Sequence, residues 1–166
     1  MVFERILGNV ATCPKPLPEQ EQDVVELFWH ECPRRAMRKR SRLGREIAFL
    51  MPPGAVLRDR DILVDDSQVR LIIEILPCEV LIAKPRSAIE LGLLAFELGN
   101  LHVPAELTGN EIRVSPDGPV IEIIERLGIP FELRTCIFQP VFAAGGVTLS
   151  PNLKIVRRAV DRAEVD

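Results

Sequence analysis

Apolar positions change their spacing once along the chain, near Pro77. Before it they come in short runs divided by turn residues. Val2–Leu7 is apolar and ends at Gly8-Asn9, a turn signal. Cys13–Gln22 (CPKPLPEQEQ) is polar and proline-rich and reads as a loop. Asp23–His30 (DVVELFWH) and Glu46–Leu50 read as strands, the second stopped by Pro52-Pro53-Gly54. Asp61–Val64 and Val69–Leu76 flank Asp65-Asp66-Ser67, and two β-rich runs around a short polar turn predict a hairpin. Gly8, Gly44 and Gly54 are isolated turn residues. No helical period of useful length occurs before residue 80, with at most a turn of helix near Pro33.

Beyond Pro77, Cys78–Ala83 (CEVLIA) is a short apolar strand. Ser87 stands three residues before Glu90, a capping-box spacing that predicts a helix start. Ala88–Leu98 follows, with Ile89, Leu93, Phe96, Leu94 and Leu98 at helical spacing, and Gly99 placed to stop it. Val103–Leu107 and Glu111–Val114 flank Thr108-Gly109-Asn110 and predict a hairpin. Ser115 or Asp117 caps a second helix whose apolar face is Val120, Ile123, Ile124 and Leu127, ended by Gly128. Phe131–Thr135 is the last strand. The order is β-α-β-β-α-β, that of a ferredoxin-like layer of two helices on an antiparallel sheet. The fold class is therefore α+β. A β-rich N-terminal domain (barrel-like or two small sheets, 1–76) precedes a ferredoxin-like domain (77–144) and a tail (145–166). Lys154–Val160 predicts one short basic turn of helix in that tail.

With 166 residues and 47% hydrophobic content, the chain has a real core to bury. The formal net charge of −3 excludes a general polyanion binder. The apolar runs are too short to span a bilayer. MVFERILGNV carries no apolar stretch after a basic start, so no signal peptide and a cytosolic location are expected. Cys13, Cys32, Cys78 and Cys136 form no CxxC pair, so neither a disulfide framework nor a structural zinc site is expected. No GxSxG, HExxH or GxxxxGK[ST] motif occurs, and the scattered acids nominate no catalytic dyad, so an enzyme is not expected.

Two histidines narrow the search for imidazole chemistry. His102 lies between the first helix and the strand that begins at Val103, where rigid elements can present its ring. On position alone, a histidine there caps a helix end through the macrodipole more often than it binds a metal. His30, beside Trp29, reads as a partly exposed strand histidine. Arg34, Arg35, Arg38, Lys39, Arg40, Arg42 and Arg45 place seven of 21 basic residues within a short run. That run reads as a solvated strand pair, a dock for an acidic protein surface or a phosphate contact.

LGNLHVPAEL, Leu98–Leu107, resembles the signature of the urease accessory protein UreE family of nickel metallochaperones. ERILGN at Glu4–Asn9 is similar to that family's opening strand. Gly44–Leu63 (GREIAFLMPPGAVLRDRDIL) is similar to its GRE…LPRG…LxDGD segment, and the helix and strands after Gly118 fit its C-terminal half. Residues 3 to 140 are covered. The resemblance implies a β-rich domain that binds peptides or partners, followed by a ferredoxin-like metal-binding domain. It implies a cytoplasmic homodimer that hands Ni²⁺ to the urease maturation complex, with an accessory GTPase as recipient and no nucleic-acid or membrane partner. His102 matches the family's metal histidine at the dimer interface.

A two-fold axis doubles a lone ligand, so two copies of His102 supply two nitrogens. Imidazole also suits Zn²⁺ and Cu²⁺, which leaves nickel selectivity to geometry or supply. Three departures from the family stand out. The tail Gly145–Asp166 has no histidine, Val114–Val120 reads VSPDGPV where some relatives carry histidines, and the PFEPE-like segment reads IFQPVF at Ile137–Phe142. A low-capacity carrier is expected, with the contribution of Cys78, Cys136 or a carboxylate left open. The alternatives are an assembly protein with vestigial metal binding, docking through Arg34–Arg45, and an RNA-binding module. Phe131 and Phe138 alone would give the last a poor stacking platform.

Overall fold

The computed structural model describes residues 1–13 and 15–141. Eleven strands make three sheets among these residues, accompanied by two α-helices and one 3₁₀ turn. The N-terminal part holds two. One orders β1 (Val2–Phe3), β5 (Glu46–Leu50) and β4 (Ala36–Arg40). The other orders β2 (Gly8–Asn9), β6 (Asp61–Asp65), β7 (Val69–Ile75) and β3 (Glu21–Leu27). Strand alternation supplies one core: Val25 and Leu27 from β3, Ile47 and Phe49 from β5, and Leu71, Ile73 and Ile75 from β7 are all buried together. The β6–β7 hairpin forms as expected, and Arg70, buried in it, holds Asp65 across the ladder at 2.6 Å.

Several expectations for this part are corrected. Gly8-Asn9 pairs with β6 as a short strand, and the turn follows it, closed by Thr12 and Cys13 N–H groups on the Asn9 carbonyl. Gly8 is not a turn glycine: a Cβ there would meet Cys13 Sγ at 2.6 Å. The strand expected over Asp23–His30 ends at Leu27, because Glu31 turns back to accept from the Phe28 N–H and a 3₁₀ turn, Trp29–Glu31, follows. His30 thus sits on that turn and not on a strand, exposed and stacked on Phe28.

The C-terminal part follows the β-α-β-β-α-β order. Its sheet runs β11 (Phe131–Cys136), β8 (Cys78–Ala83), β10 (Glu111–Val114), β9 (Ala105–Thr108), all antiparallel. This is the ferredoxin-like strand order. Helices α1 (Ala88–Asn100) and α2 (Gly118–Arg126) bury Leu94, Leu98, Val120, Ile123 and Ile124 against Leu81, Ala83, Ile112 and Val114. Ser87 caps α1 by accepting from the Glu90 N–H at 3.1 Å. The return arm of the expected capping box lands one residue earlier, since Glu90 accepts from the Arg86 N–H at 2.7 Å. Arg86 also donates to the Gly128 carbonyl at 2.8 Å and so ties the start of α1 to the end of α2.

The opposite face of this sheet is covered differently. Val80 and Ile82 alternate with Leu81 and point away from the helices. They pack on Phe138, which meets Trp29 of the N-terminal part edge to face at 5.1 Å. The segment after β11 therefore crosses this face as a strap. It leaves Cys136 at one sheet edge, buries Phe138 in the middle and reaches β9 at the other edge, where the Val141 N–H donates to Ala105. Gln139 holds both sides, donating its N–H to Glu106 and accepting from the Asp59 N–H. The tail from Gly145, with its expected basic turn over Lys154–Val160, lies outside the described residues, as does Phe142 of the IFQPVF segment.

Candidate metal centre

Helix α1 does not stop at Gly99. It runs to Asn100, and the chain reverses one step further on. The Val103 N–H donates to the Leu98 carbonyl and the His102 N–H to the Gly99 carbonyl, with His102 at φ +54°. These two bonds and one left-handed residue make a Schellman motif, and partly buried Val103 packs into the same cluster as Leu98 beneath it. Helix α2 ends the same way: Ile129 donates to Ile124, Gly128 to Glu125, and Gly128 has φ +64°. One motif is thus built twice, and where the second copy has glycine the first has His102.

That difference carries information. A side chain in the left-handed region costs about 1–2 kcal/mol, a cost glycine escapes. Strain of this kind persists where surrounding structure over-determines it, and it clusters at functional positions. Here the flanking helix and β9 fix the backbone, so the direction of the exposed imidazole is set by main-chain geometry. His102→Gly is accordingly expected to stabilise the fold by about 1 kcal/mol, whereas His102→Ala, which keeps a Cβ, gains nothing comparable. Thermal melts of the two variants check this, and a His102→Gly protein that melts below wild type would refute the strain.

Around this position α1 shows two apolar faces where the sequence implied one. Leu94 and Leu98 are buried, but Ile89, Leu93 and Phe96 are 75%, 49% and 66% exposed. Their spacing of four and three puts them in a single stripe. Leu101, 44% exposed, continues the apolar surface beside His102. No group of three or more His, Cys, Asp or Glu side chains among the described residues is gathered to hold a metal ion. One chain thus offers a single well-presented imidazole next to an apolar stripe.

His30 is engaged with the rings of Phe28 and Trp29, its edge-on contact to Trp29 being 5.7 Å. Most of the basic run is matched by acids of its own chain. Lys39 pairs with Glu31, Arg40 with Glu46, Arg42 with Glu26 and Glu74, and Arg45 with Glu21 and Asp23. Arg34, Arg35 and Arg38 make no ion pair among the described residues, so the charge of these three is left for an outside partner.

Pattern reading alone missed Asp23, buried under the Ser41–Arg45 turn. It accepts from the N–H groups of Val24 and Leu43 at 2.8 and 3.0 Å and from Arg45 at 2.6 Å. Burial pushes its pKa up, but the bonds from Ser41, Arg45, Leu43 and Val24 outweigh that and hold it below the usual carboxylate range. A lone acid at the third position of a strand carries no local signal of this role. An open groove of about 710 Å³ on the N-terminal part is lined by Val2, Phe3, Arg5, Leu63, Asp65 and Asp66, among others.

Comparison with known proteins agrees with this architecture. Residues 3–76 match the family described as UreE urease accessory protein, N-terminal domain, and residues 78–151 match its C-terminal domain. The urease accessory protein UreE of Actinobacillus pleuropneumoniae is 37% identical over 130 residues, covering 76% of this chain and 70% of that protein. That of Bacillus sp. (strain TB-90) is 35% identical over 131 residues, covering 79% and 87%. That of Acetivibrio thermocellus is 28% identical over 136 residues, covering 82% and 88%. With both halves matched, and with LGNLHVP forming the strained end of α1, the chain belongs to the UreE family of urease accessory proteins, and it is an accessory protein rather than an enzyme.

Proposed function

We propose that this protein is a nickel carrier of urease maturation, with one Ni²⁺ held between two copies of His102 in a homodimer. The observation that carries the reading is the pairing of a backbone-strained, exposed imidazole with the outward stripe Ile89, Leu93, Phe96. An apolar stripe of this kind gains by burial against its own two-fold mate. The same axis brings together two imidazoles that one chain cannot supply. Two nitrogens with the remaining positions open to water or partner ligands suit a cargo ion that must be released. Zn²⁺ and Cu²⁺ fit the same donors in vitro.

In this reading residues 1–76 bind partners, the groove at β1 and the β6–β7 turn being the natural place for a peptide. Residues 77–144 carry the metal, residues 145–166 add no histidine, and the recipient is the urease accessory GTPase in a cytoplasmic maturation complex. No helix among the described residues is long and apolar enough to cross a membrane.

Calorimetric titration tests the reading. Wild type is expected to bind one tight Ni²⁺ per two chains, less tightly as the solution is acidified, because only neutral imidazole is a ligand. His102→Ala is expected to abolish that isotherm. Unchanged nickel affinity in the variant would overturn the assignment.

A further inference from the structure

We propose that Cys78 and Cys136 form a reversible modification site, at which a low-molecular-weight disulfide such as oxidised glutathione converts the two thiols into a cross-strand disulfide. Of the four free cysteines, these two stand directly opposite one another in the register of β8 and β11. Directly opposed residues point to the same face, here the face of Val80 and Ile82, and both cysteines pack against that cluster at the root of the strap. The Lys84 N–H donates to the Pro130 carbonyl at 2.8 Å at the far end of the same ladder. Counting back by twos, Cys78 and Cys136 fall on a hydrogen-bonded pair, whose Cα atoms are about 5.5 Å apart. A disulfide takes Cα separations of about 4.4–6.8 Å.

The setting favours a disulfide over a metal held by two thiolates. Both side chains are half-buried beside Phe138 and Trp29. Burial, and then the neighbouring Cys136, push the Cys78 thiol up from its ordinary value. A copper(I) bis-thiolate keeps a net negative charge in those surroundings, whereas a disulfide is neutral and apolar. The other two cysteines are placed differently. Cys32 is buried and its thiol is pushed up to about 12, and Cys13 lies against Gly8.

The exchange balances without a further reagent. One cysteine thiolate attacks a glutathione sulfur, the glutathione S–S bond breaks, and one glutathione leaves as thiolate. The second cysteine thiolate attacks the protein sulfur of the mixed disulfide and expels the second glutathione. Two protein thiols are oxidised, one glutathione disulfide is reduced to two thiols, and the protons move from cysteine to glutathione. The same exchange runs backwards when reduced glutathione is in excess. The bond is therefore expected only when the thiol pool is strongly oxidised, and it would clamp the strap where it leaves β11.

The test is mass spectrometry of the whole protein equilibrated against graded ratios of oxidised to reduced glutathione, then alkylated and digested. A linked peptide joining Cys78 to Cys136, lost again in excess reduced glutathione, is expected. Cys136→Ser should instead trap a single glutathione adduct on Cys78. The proposal is overturned if both cysteines stay as thiols in oxidised glutathione alone, if they carry two separate adducts, or if Cys136→Ser leaves Cys78 unmodified. Copper(I) retained by the pair in place of a disulfide under the same oxidant would also overturn it.

Discussion

Phe96→Asp is expected to turn the proposed dimer into a monomer and to weaken nickel binding by about a hundredfold or more, while the chain stays folded. Phe96 lies at the outer end of the Ile89–Leu93–Phe96 stripe and is two-thirds exposed in the single chain, so replacing it takes nothing from the core. Changes at such positions usually move monomer stability by no more than about 0.5 kcal/mol. In a two-fold interface the same change occurs twice. Each copy loses a buried aromatic worth about 1.5–3 kcal/mol and leaves a carboxylate facing apolar surface. His102 is untouched, but each imidazole is left without its mate. Even removal of a hydrogen-bonded partner behind a metal ligand costs about 10–100-fold in affinity, and losing a ligand costs more. Light scattering, far-ultraviolet circular dichroism and nickel titration on one preparation decide the matter. A monomer with full nickel affinity would show that the site does not need the pair, and a persistent dimer would place the interface elsewhere.

Asp23→Ala should cost about 3 kcal/mol, the lower end of what breaking a buried pair takes from one side. The lost carboxylate leaves the Val24 and Leu43 N–H groups and the Arg45 guanidinium without their acceptor. Arg45 is partly exposed and keeps Glu21, so water and that acid recover some of the loss. If the whole chain of 166 residues melts as one unit, the expected drop in Tm is about 10 °C. The pH dependence follows from the direction of the shift. The folded-state pKa of Asp23 lies below its unfolded value, so its contribution is fully present above about pH 4 and disappears as pH falls through the folded value. Wild type and variant should therefore differ most near neutrality and converge in strong acid. A gap that stayed constant from pH 7 to pH 2 would remove the charge from the explanation.

The sequence made α2 and the two C-terminal hairpin strands legible because each has a single core-facing side and an explicit stop, and β8 because it is a short continuous apolar run buried on both faces. Gly128 ends α2 at a left-handed residue as its position implies. α1 was harder for a physical reason. Its apolar residues cover two faces, one buried in the core and one exposed, and periodicity counts both alike. Its end was misplaced because Gly99 tolerates a left-handed turn but the chain spends that conformation on His102. β4 lies in the basic run that reads as a solvated strand pair, but its composition hid which positions face inward. AMRKR alternates correctly, but the inward positions are Met37 and Lys39, the latter bonded to the buried Glu31. The parallel pairing of β3 with β7 joins segments more than forty residues apart, which no local pattern encodes. His102 was legible as a candidate only through its motif, since the strain at it is a backbone angle and leaves no trace in composition.

Arg60 repeats the lesson at a second place. It holds φ +67° in the segment resembling LxDGD, where the family pattern has glycine. Nothing in the structure explains the arginine at this position.

The strap from Cys136 to Val141 also has a consequence for synthesis on the ribosome. Val80, Ile82 and Trp29 are made early but stay uncovered until Phe138 has left the exit tunnel. β9 likewise waits for Val141 to complete its outer bridge. The nascent chain therefore keeps these apolar residues uncovered through the second half of its synthesis. A chain released early at Thr135 would leave that face open.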